Sequence, residues 1–188
     1  MWYVIQVIKG REDAMAELIG RVVPAAVLDE CFNPKYATET KVRGVWMPVE
    51  RSLFPGYIIA VCSDPLALEQ QLLRLEEFAR VLRQGDVFVP LSGEEIELIG
   101  TFTSRGNRVV PLSRGFKAGQ RVVVTEGPLV GREYLIKSVN RHKSVAVLEV
   151  DLCGRPQRTL VGLAVLASPG EPAAKRAELY VSEARRSA

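Results

Sequence analysis

Residues 53–61 read Leu-Phe-Pro-Gly-Tyr-Ile-Ile-Ala-Val, and this stretch decides the fold of the first half of the chain. Its aromatic and β-branched residues predict a strand. Pro55-Gly56 near its start favours a bulge or an edge position, where a missing N–H is tolerated. A second strand is predicted just before it, at residues 42–49, with the charged segment 50–52 as the connecting turn.

Strand and helix signals flank this stretch on both sides. A strand is expected at residues 2–7, followed by a helix from residue 11 to Pro24. A second helix is expected to begin at the N-cap Asp64 with Pro65, and a hairpin to turn at residues 84–86. A third helix is expected to begin at a Ser92 to Glu95 capping box and to end near Phe102. In the first helix the apolar residues Met15, Leu18, Ile19 and Val22 form one stripe. This half is therefore predicted to be an antiparallel sheet with helices.

The second half changes character after the third helix. Residues 103–115 hold Ser, Gly, Asn, Pro and three arginines without a structural period, which predicts an exposed linker. Short β-prone runs follow at residues 122–125, 134–139, 145–150 and 159–165. The chain is thus predicted to be α+β, with a domain at 1–102, a linker at 103–115, a small β-barrel at 116–167 and a tail at 168–188 of no assigned function.

Charge is segregated along the 188 residues, although the net charge is only +3. Residues 1–102 hold 10 Lys and Arg against 15 Asp and Glu, a net −5, whereas residues 103–167 carry a net +7. A cluster of Lys and Arg gains affinity for phosphate by releasing counterions. The charge pattern therefore favours a nucleic-acid contact by the linker and the barrel.

The sequence gives little support for a catalytic or a metal-binding function. The single histidine, His142, lies in a basic turn, and neither a nucleophile motif nor a P-loop is present. Three cysteines without a CxxC pair favour neither a disulfide framework nor a zinc site, and they favour an intracellular setting. We therefore expect a cytoplasmic, monomeric, non-enzymatic protein with no cofactor, no metal and no membrane segment.

Two sets of motifs together resemble the NusG-type transcription elongation factors. Trp2-Tyr-Val, Leu53-Phe-Pro-Gly-Tyr-Ile58 and residues 87–95 are similar to their amino-terminal NGN domain. Residues 116–124, Glu126-Gly-Pro-Leu-Val-Gly131 and residues 136–146 are similar to their KOW domain. The resemblance covers about residues 1–167, and it implies an NGN α/β sandwich followed by an SH3-like KOW barrel.

The resemblance implies that the first domain binds the clamp helices of the largest subunit of RNA polymerase and so promotes processive elongation. The residues it assigns to that contact are Trp46, Phe54, Pro55, Gly56 and Tyr57. In the turn, glycine allows a sharp backbone path and proline fixes φ, so that two aromatic rings could be presented at a strand edge. The alternative is that Phe54 and Tyr57 fill the core of their own domain.

The barrel's basic residues are candidates for binding RNA, such as a leader hairpin. They are Arg132, Lys137, Arg141, His142, Lys143 and Arg155. Residues 78–82, 86–92 and 139–143 resemble the specialised LoaP group, which antiterminates biosynthetic operons. A solvated basic turn without function is the alternative for Arg141 to Lys143. Tyr134 stands where KOW sequences often have glycine, and its ring could be accommodated in a strand or exposed to stack on a base.

Two other functions remain open at this point. A general NusG would use the barrel to bind Rho or NusE, and would not need RNA recognition. A ribosome-associated KOW protein would explain the basic barrel, but it would leave the acidic first domain and its Leu-Phe-Pro-Gly-Tyr turn unexplained.

Overall fold

The computed structural model of the chain describes residues 1–100, 103, 105–119 and 121–166, and for Glu94, Leu98 and Arg155 it describes the backbone alone. The strands are β1 (Trp2–Val7), β2 (Glu30–Phe32), β3 (Lys35–Val42), β4 (Val45–Ser52), β5 (Tyr57–Val61), β6 (Ala79–Val81), β7 (Arg83–Gln84), β8 (Val87–Phe88), β9 (Val109–Val110), β10 (Ser113–Ala118), β11 (Arg121–Glu126), β12 (Ile136–Asn140), β13 (Val145–Leu152) and β14 (Arg155–Leu166). The helices are α1 (Glu12–Val22), α2 (Pro65–Leu72) and α3 (Gly93–Gly100), and a 3-10 turn spans Glu133–Leu135. These elements confirm the predicted α+β class.

The chain divides into two compact units, each drawn from several stretches. The first unit comprises residues 1–35, 52–109 and 150–157, and the second comprises residues 36–51, 110–149 and 158–188, of which the structure describes the part up to 166. The domain borders expected at residues 102, 115 and 167 stay predictions. Phe102, where the third helix was expected to end, and the tail at 168–188 lie outside the described residues.

The first unit is built on a four-stranded sheet of order β2-β5-β1-β6. Strand β1 pairs antiparallel with β5, placing Ile5 opposite Ile58, and both side chains are fully buried. Met15 and Ile19 of α1 pack into the same core. Val22, predicted to continue that apolar stripe, is 46% exposed, and Val23, directly after the helix, lies in the core in its place.

Helix starts in the first unit follow the predicted local chemistry. The Asp64 carboxylate accepts from the N–H groups of Leu66 and Ala67, which caps α2. Ser92 and Glu95 exchange backbone-to-side-chain bonds, so the capping box of α3 is confirmed. The other Glu95 oxygen accepts from the Cys153 N–H at 2.6 Å, a partner that no local signal indicates.

The turn expected at residues 50–52 is wrong. Residues 35–52 form one long hairpin, β3 to β4, that turns at Arg43 and Gly44, whose φ angles are 50° and 91°. Two consecutive positive φ values are the geometry that joins strands of right-handed twist most tightly. Residues 50–52 consequently lie inside β4, and the next strand begins only at Tyr57.

The second unit contains most of a five-stranded sheet of order β11-β10-β14-β13-β12. Strand β10 pairs antiparallel with β11 and parallel with β14. Val124, Ala146, Leu148 and Leu163 are buried, whereas Val122 and Ile136 are half-buried. Gly119, Gly127 and Gly131 all have positive φ, a conformation that glycine adopts without strain.

Two parts of the segment predicted as an exposed linker are ordered into strands. Residues 109–110 form β9, β10 begins at Ser113, and both Val110 and Ser113 are buried. Arg108 donates to both carboxylate oxygens of Glu30, and its guanidinium lies 4.3 Å from the centroid of the Phe32 ring. The expectation failed because the partners of Arg108 lie far away along the chain.

Candidate functional site

The Phe54 to Tyr57 turn is fixed by backbone hydrogen bonds on both of its sides. The Tyr57 N–H donates to the Phe54 carbonyl at 2.9 Å, and the Leu53 N–H donates to the Pro34 carbonyl at 2.7 Å. Proline at the second position and a Gly56 φ of 90° are those of a type II turn. Glycine is required there because residues with a Cβ are strained at positive φ.

The two aromatic rings of this turn differ in their exposure to solvent. Phe54 is 5% exposed and belongs to the core, so the expectation that it would be presented at a strand edge is wrong. Tyr57 is half-buried, Pro55 is exposed and Gly56 is buried. The accessible surface of the turn therefore consists of Pro55 and part of the Tyr57 ring.

Trp46, the remaining residue predicted for polymerase binding, lies in β4 and in the second unit. It is half-buried, and its neighbours Met47 and Pro48 are exposed. Met47 retains 48% of its surface, so a large apolar side chain of this strand faces solvent. The β4 strand thus presents apolar surface of its own.

The predicted RNA-binding residues fall into three groups, of which the first two lie in the second unit and Arg155 lies in the first. Arg141, His142 and Lys143 are all exposed in the turn between β12 and β13. Arg132 is half-buried and donates to the Pro128 carbonyl at 3.4 Å, and Lys137 is paired with Glu149 at 3.5 Å. The side chain of Arg155 lies outside the described residues. The turn at 141–143 and the ion-paired Lys137 are therefore the exposed members of the predicted set whose side chains the structure describes.

The base of this basic turn is held firmly. Ser144 has a positive φ of 48° and is buried, and its carbonyl accepts from the Leu163 N–H and from the Thr38 hydroxyl, each at 2.8 Å. The Lys143 N–H donates to the Asn140 side-chain oxygen at 3.1 Å. The three exposed side chains consequently project from a fixed backbone.

Tyr134 is a candidate that was left open by the sequence. It lies in the 3-10 turn rather than in a strand, and it is 77% exposed. The adjacent Glu133 carboxylate accepts from the Val124 N–H at 3.4 Å, which ties this turn to β11. The ring is thus accessible for stacking, the second of the two predicted possibilities.

Few side chains in the part of the chain that the structure describes are suited to metal binding or to thiol chemistry. No group of three or more His, Cys, Asp or Glu side chains there could hold a metal ion. Burial raises the pKa of the Cys31 thiol to about 12 and also raises that of Cys62, so both thiols resist ionisation at neutral pH. Among the described helices, none has both the length and the apolar character required to cross a membrane.

The chain is similar to known proteins both in sequence and in fold. A family model described as "Transcription termination factor nusG" matches residues 1–100. The NusG transcription termination/antitermination protein of Campylobacter jejuni is 26% identical over 159 residues, covering 82% of this chain and 89% of that protein. That of Lactococcus lactis is 27% identical over 161 residues, covering 82% and 85%.

Among solved structures, one described as "Domain interaction in Thermotoga maritima NusG" is similar in fold. It has a TM-score of 0.50 and 20% sequence identity, and the match covers 87% of this chain and 92% of that one. The family match spans more than half of the 188 residues. The chain therefore belongs to the NusG family of transcription termination and antitermination factors.

Proposed function

We propose that this chain is a specialised, LoaP-like NusG factor that binds RNA polymerase, promotes processive elongation and antitermination at target operons, and contacts RNA through its second unit. Family membership supports the role in transcription. The observation that carries the RNA contact is the exposed Arg141-His142-Lys143 turn on a fixed backbone. The factor acts by binding, as a cytoplasmic monomer without catalytic activity or cofactor.

The polymerase contact is assigned to the surface of the Phe54 to Tyr57 turn. Pro55 and Tyr57 offer an apolar and aromatic surface of limited flexibility, the kind of surface that dominates protein interfaces. Phe54 and Gly56 support this surface from within, since both are buried. Trp46 is assigned to the same partner, and the clamp helices of the largest polymerase subunit are the element that the family resemblance implies.

Purified RNA polymerase tests this assignment directly. Tyr57→Ala in the full chain should weaken binding about tenfold or more, because truncating an aromatic anchor at an interface removes a dominant contact. Phe78→Ala is the matched control, since Phe78 is an exposed ring of the same unit, at 45%, outside the proposed surface. Equal affinities for wild type and Tyr57→Ala would contradict the assignment.

The RNA contact rests on charge placement. Arg141 and Lys143 bring two full positive charges to one exposed turn, and no acidic residue lies between them. Side chains at such a turn can straddle a phosphate backbone, which sets affinity, whereas base contacts set specificity. Tyr134 adds an exposed ring of the type on which unpaired RNA bases stack.

A salt titration with the full chain and a leader RNA tests this contact. Replacing Arg141 and Lys143 by alanine should reduce the magnitude of the slope of log K against log salt by roughly 1.4, since each phosphate contact to a single strand contributes about 0.7. The control is Lys117→Ala with Arg121→Ala, which removes the same charge from exposed positions elsewhere in the second unit. Equal losses in both variants would reduce the contact to nonspecific attraction.

The relatives named termination/antitermination proteins favour a second candidate, a general NusG. In that case the second unit binds Rho or NusE, and neither pair of replacements alters a specific RNA affinity. A ribosome-associated RNA-binding protein is the third possibility, and it predicts RNA binding without any complex with RNA polymerase. The two titrations together separate all three functions.

A further inference from the structure

Glu12 is a buried carboxylate at the start of α1, with only 6% of its surface exposed. Its Oε1 accepts from the Gly56 N–H at 2.7 Å, and both of its oxygens accept from the Gly10 N–H at 3.0 Å. No Lys or Arg side chain among the described residues forms an ion pair with it. Backbone N–H groups and the positive end of the helix dipole therefore hold this charge.

The Gly56 N–H belongs to the central peptide of the Phe54 to Tyr57 turn. That peptide has two orientations, which distinguish type I from type II turns, and a glycine at the third position tolerates both. In the type II orientation seen here the N–H faces the Glu12 carboxylate. A flipped peptide would turn the Pro55 carbonyl, itself an acceptor, towards the same oxygen, and this hydrogen bond would be lost. Glu12 thus selects one of the two turn types by offering an acceptor that only this orientation of the peptide can use.

The other polar group of Gly56 is held as well. Its carbonyl accepts from the Val7 N–H at 2.9 Å, at the end of β1. Gly56 is consequently bound on one side by the last residue of β1 and on the other by the first residue of α1. The chain segment that joins these two elements, residues 8–11, serves as a clamp on the turn.

We propose that Glu12 is a positioning residue for polymerase binding: its carboxylate locks the Pro55–Gly56 peptide, and so presents Pro55 and Tyr57 in one fixed arrangement. This rests on the proposed function of the turn. Preorganisation of this kind raises affinity because the bound conformation is already the populated one. Glu12 contacts the turn from beneath, since it is buried whereas Pro55 is exposed.

Three replacements of Glu12 in the full chain separate position from charge. Glu12→Asp keeps the charge at the helix start but withdraws the oxygens by one methylene, so it should weaken polymerase binding roughly tenfold, as Glu12→Ala should. Glu12→Gln keeps an acceptor oxygen in the place of Oε1, to which the Gly10 and Gly56 N–H groups both donate. Its affinity for polymerase should stay within about threefold of wild type. Affinity that follows charge instead, with Asp intact and Gln impaired, overturns the proposal.

A matched control separates positioning from general stability. Glu69 is a second buried carboxylate of the first unit, and it accepts from the Val81 N–H at 2.8 Å. Glu69→Ala should lower stability but leave the affinity of the folded protein for polymerase unchanged. The Gly56 amide, followed by NMR and hydrogen exchange, should lose more protection in Glu12→Asp than the fall in global stability accounts for, whereas in Glu69→Ala its loss should not exceed that fall.

The outcomes distinguish this proposal from the proposed function. If wild-type protein does not bind RNA polymerase, the proposed function fails and the positioning role fails with it. If wild type binds and the Glu12→Asp and Glu69→Ala variants lose equal affinity, only the positioning role is overturned. Unchanged protection of the Gly56 amide in Glu12→Asp also overturns it, whatever the affinity.

Discussion

Gly162 in β14 is the position at which the packing of the second unit can be tested most severely. A Cβ added there would lie 1.9 Å from the Ala37 carbonyl oxygen and 2.8 Å from the Leu112 Cδ1. Real Cβ contacts are not shorter than 3.0 Å, so Gly162→Ala forces the strands apart by about 1 Å in a close-packed interior. The obstacle is backbone, which cannot turn aside as a flexible side chain does.

The expected cost follows from what that displacement disturbs. Overpacking by one methyl group typically costs about 1–3 kcal/mol. The neighbouring bond from the Leu163 N–H to the Ser144 carbonyl, 2.8 Å long, would also lengthen, at about 0.5–1.5 kcal/mol. Gly162→Ala should therefore destabilise the second unit by on the order of 3 kcal/mol.

Urea unfolding measures this loss, because each unit has its own tryptophan, Trp2 in the first and Trp46 in the second. In a Trp2→Phe background the fluorescence reports the second unit. Gly20→Ala in the first unit, followed by Trp2 in a Trp46→Phe background, is the control: nothing lies within 4 Å of its added Cβ, and alanine in a helix interior should stabilise that unit by about 0.5–1 kcal/mol. A Gly162→Ala midpoint equal to that of wild type would refute the close approach of β14 to Ala37.

Two further predictions concern the first unit. Phe54→Ala should destabilise it by about 3–5 kcal/mol, as for other buried aromatic residues, whereas Tyr57→Ala should cost far less, and chemical denaturation of the two variants checks the order. The pKa of Cys31 is raised to about 12 by burial, so the native state holds this proton more tightly than the unfolded state. Stability should therefore fall as pH rises from the ordinary value of 9.0 towards 12, and this part of the loss should be absent in Cys31→Ala.

Sequence signals predict the structure where the contacts that stabilise it lie close together along the chain. The capping residues Asp64 and Ser92 were predictable because each binds N–H groups within three residues of itself. The turn at Arg43 and Gly44 was missed because an arginine rarely adopts positive φ and gives no turn signal. Arg108 looked like linker because its partner Glu30 is 78 residues away.

The candidate site shows the same division between local and distant causes. The sharp path of the Phe54 to Tyr57 turn was predictable from Pro55 and Gly56, whose backbone preferences are intrinsic. Which ring would be buried was not, since it depends on the strands and helix that pack around the turn. The role of Glu12 has no distinct signal in the sequence, because an acidic residue in a first helical turn is ordinarily a favourable charge at the helix dipole.

The accessible charge sets a limit on what the basic turn can do by itself. Lys137 is exposed but paired with Glu149, and Arg132 donates to a carbonyl, whereas Arg141 and Lys143 are exposed and form no ion pair among the described residues. Two phosphate contacts change affinity by only roughly sevenfold between 50 and 200 mM salt, at about 0.7 per contact. An electrostatic contribution of this size attracts RNA without selecting a sequence. Selectivity for a leader element must then come from contacts to bases, and the exposed Tyr134 ring is a group in the second unit suited to one.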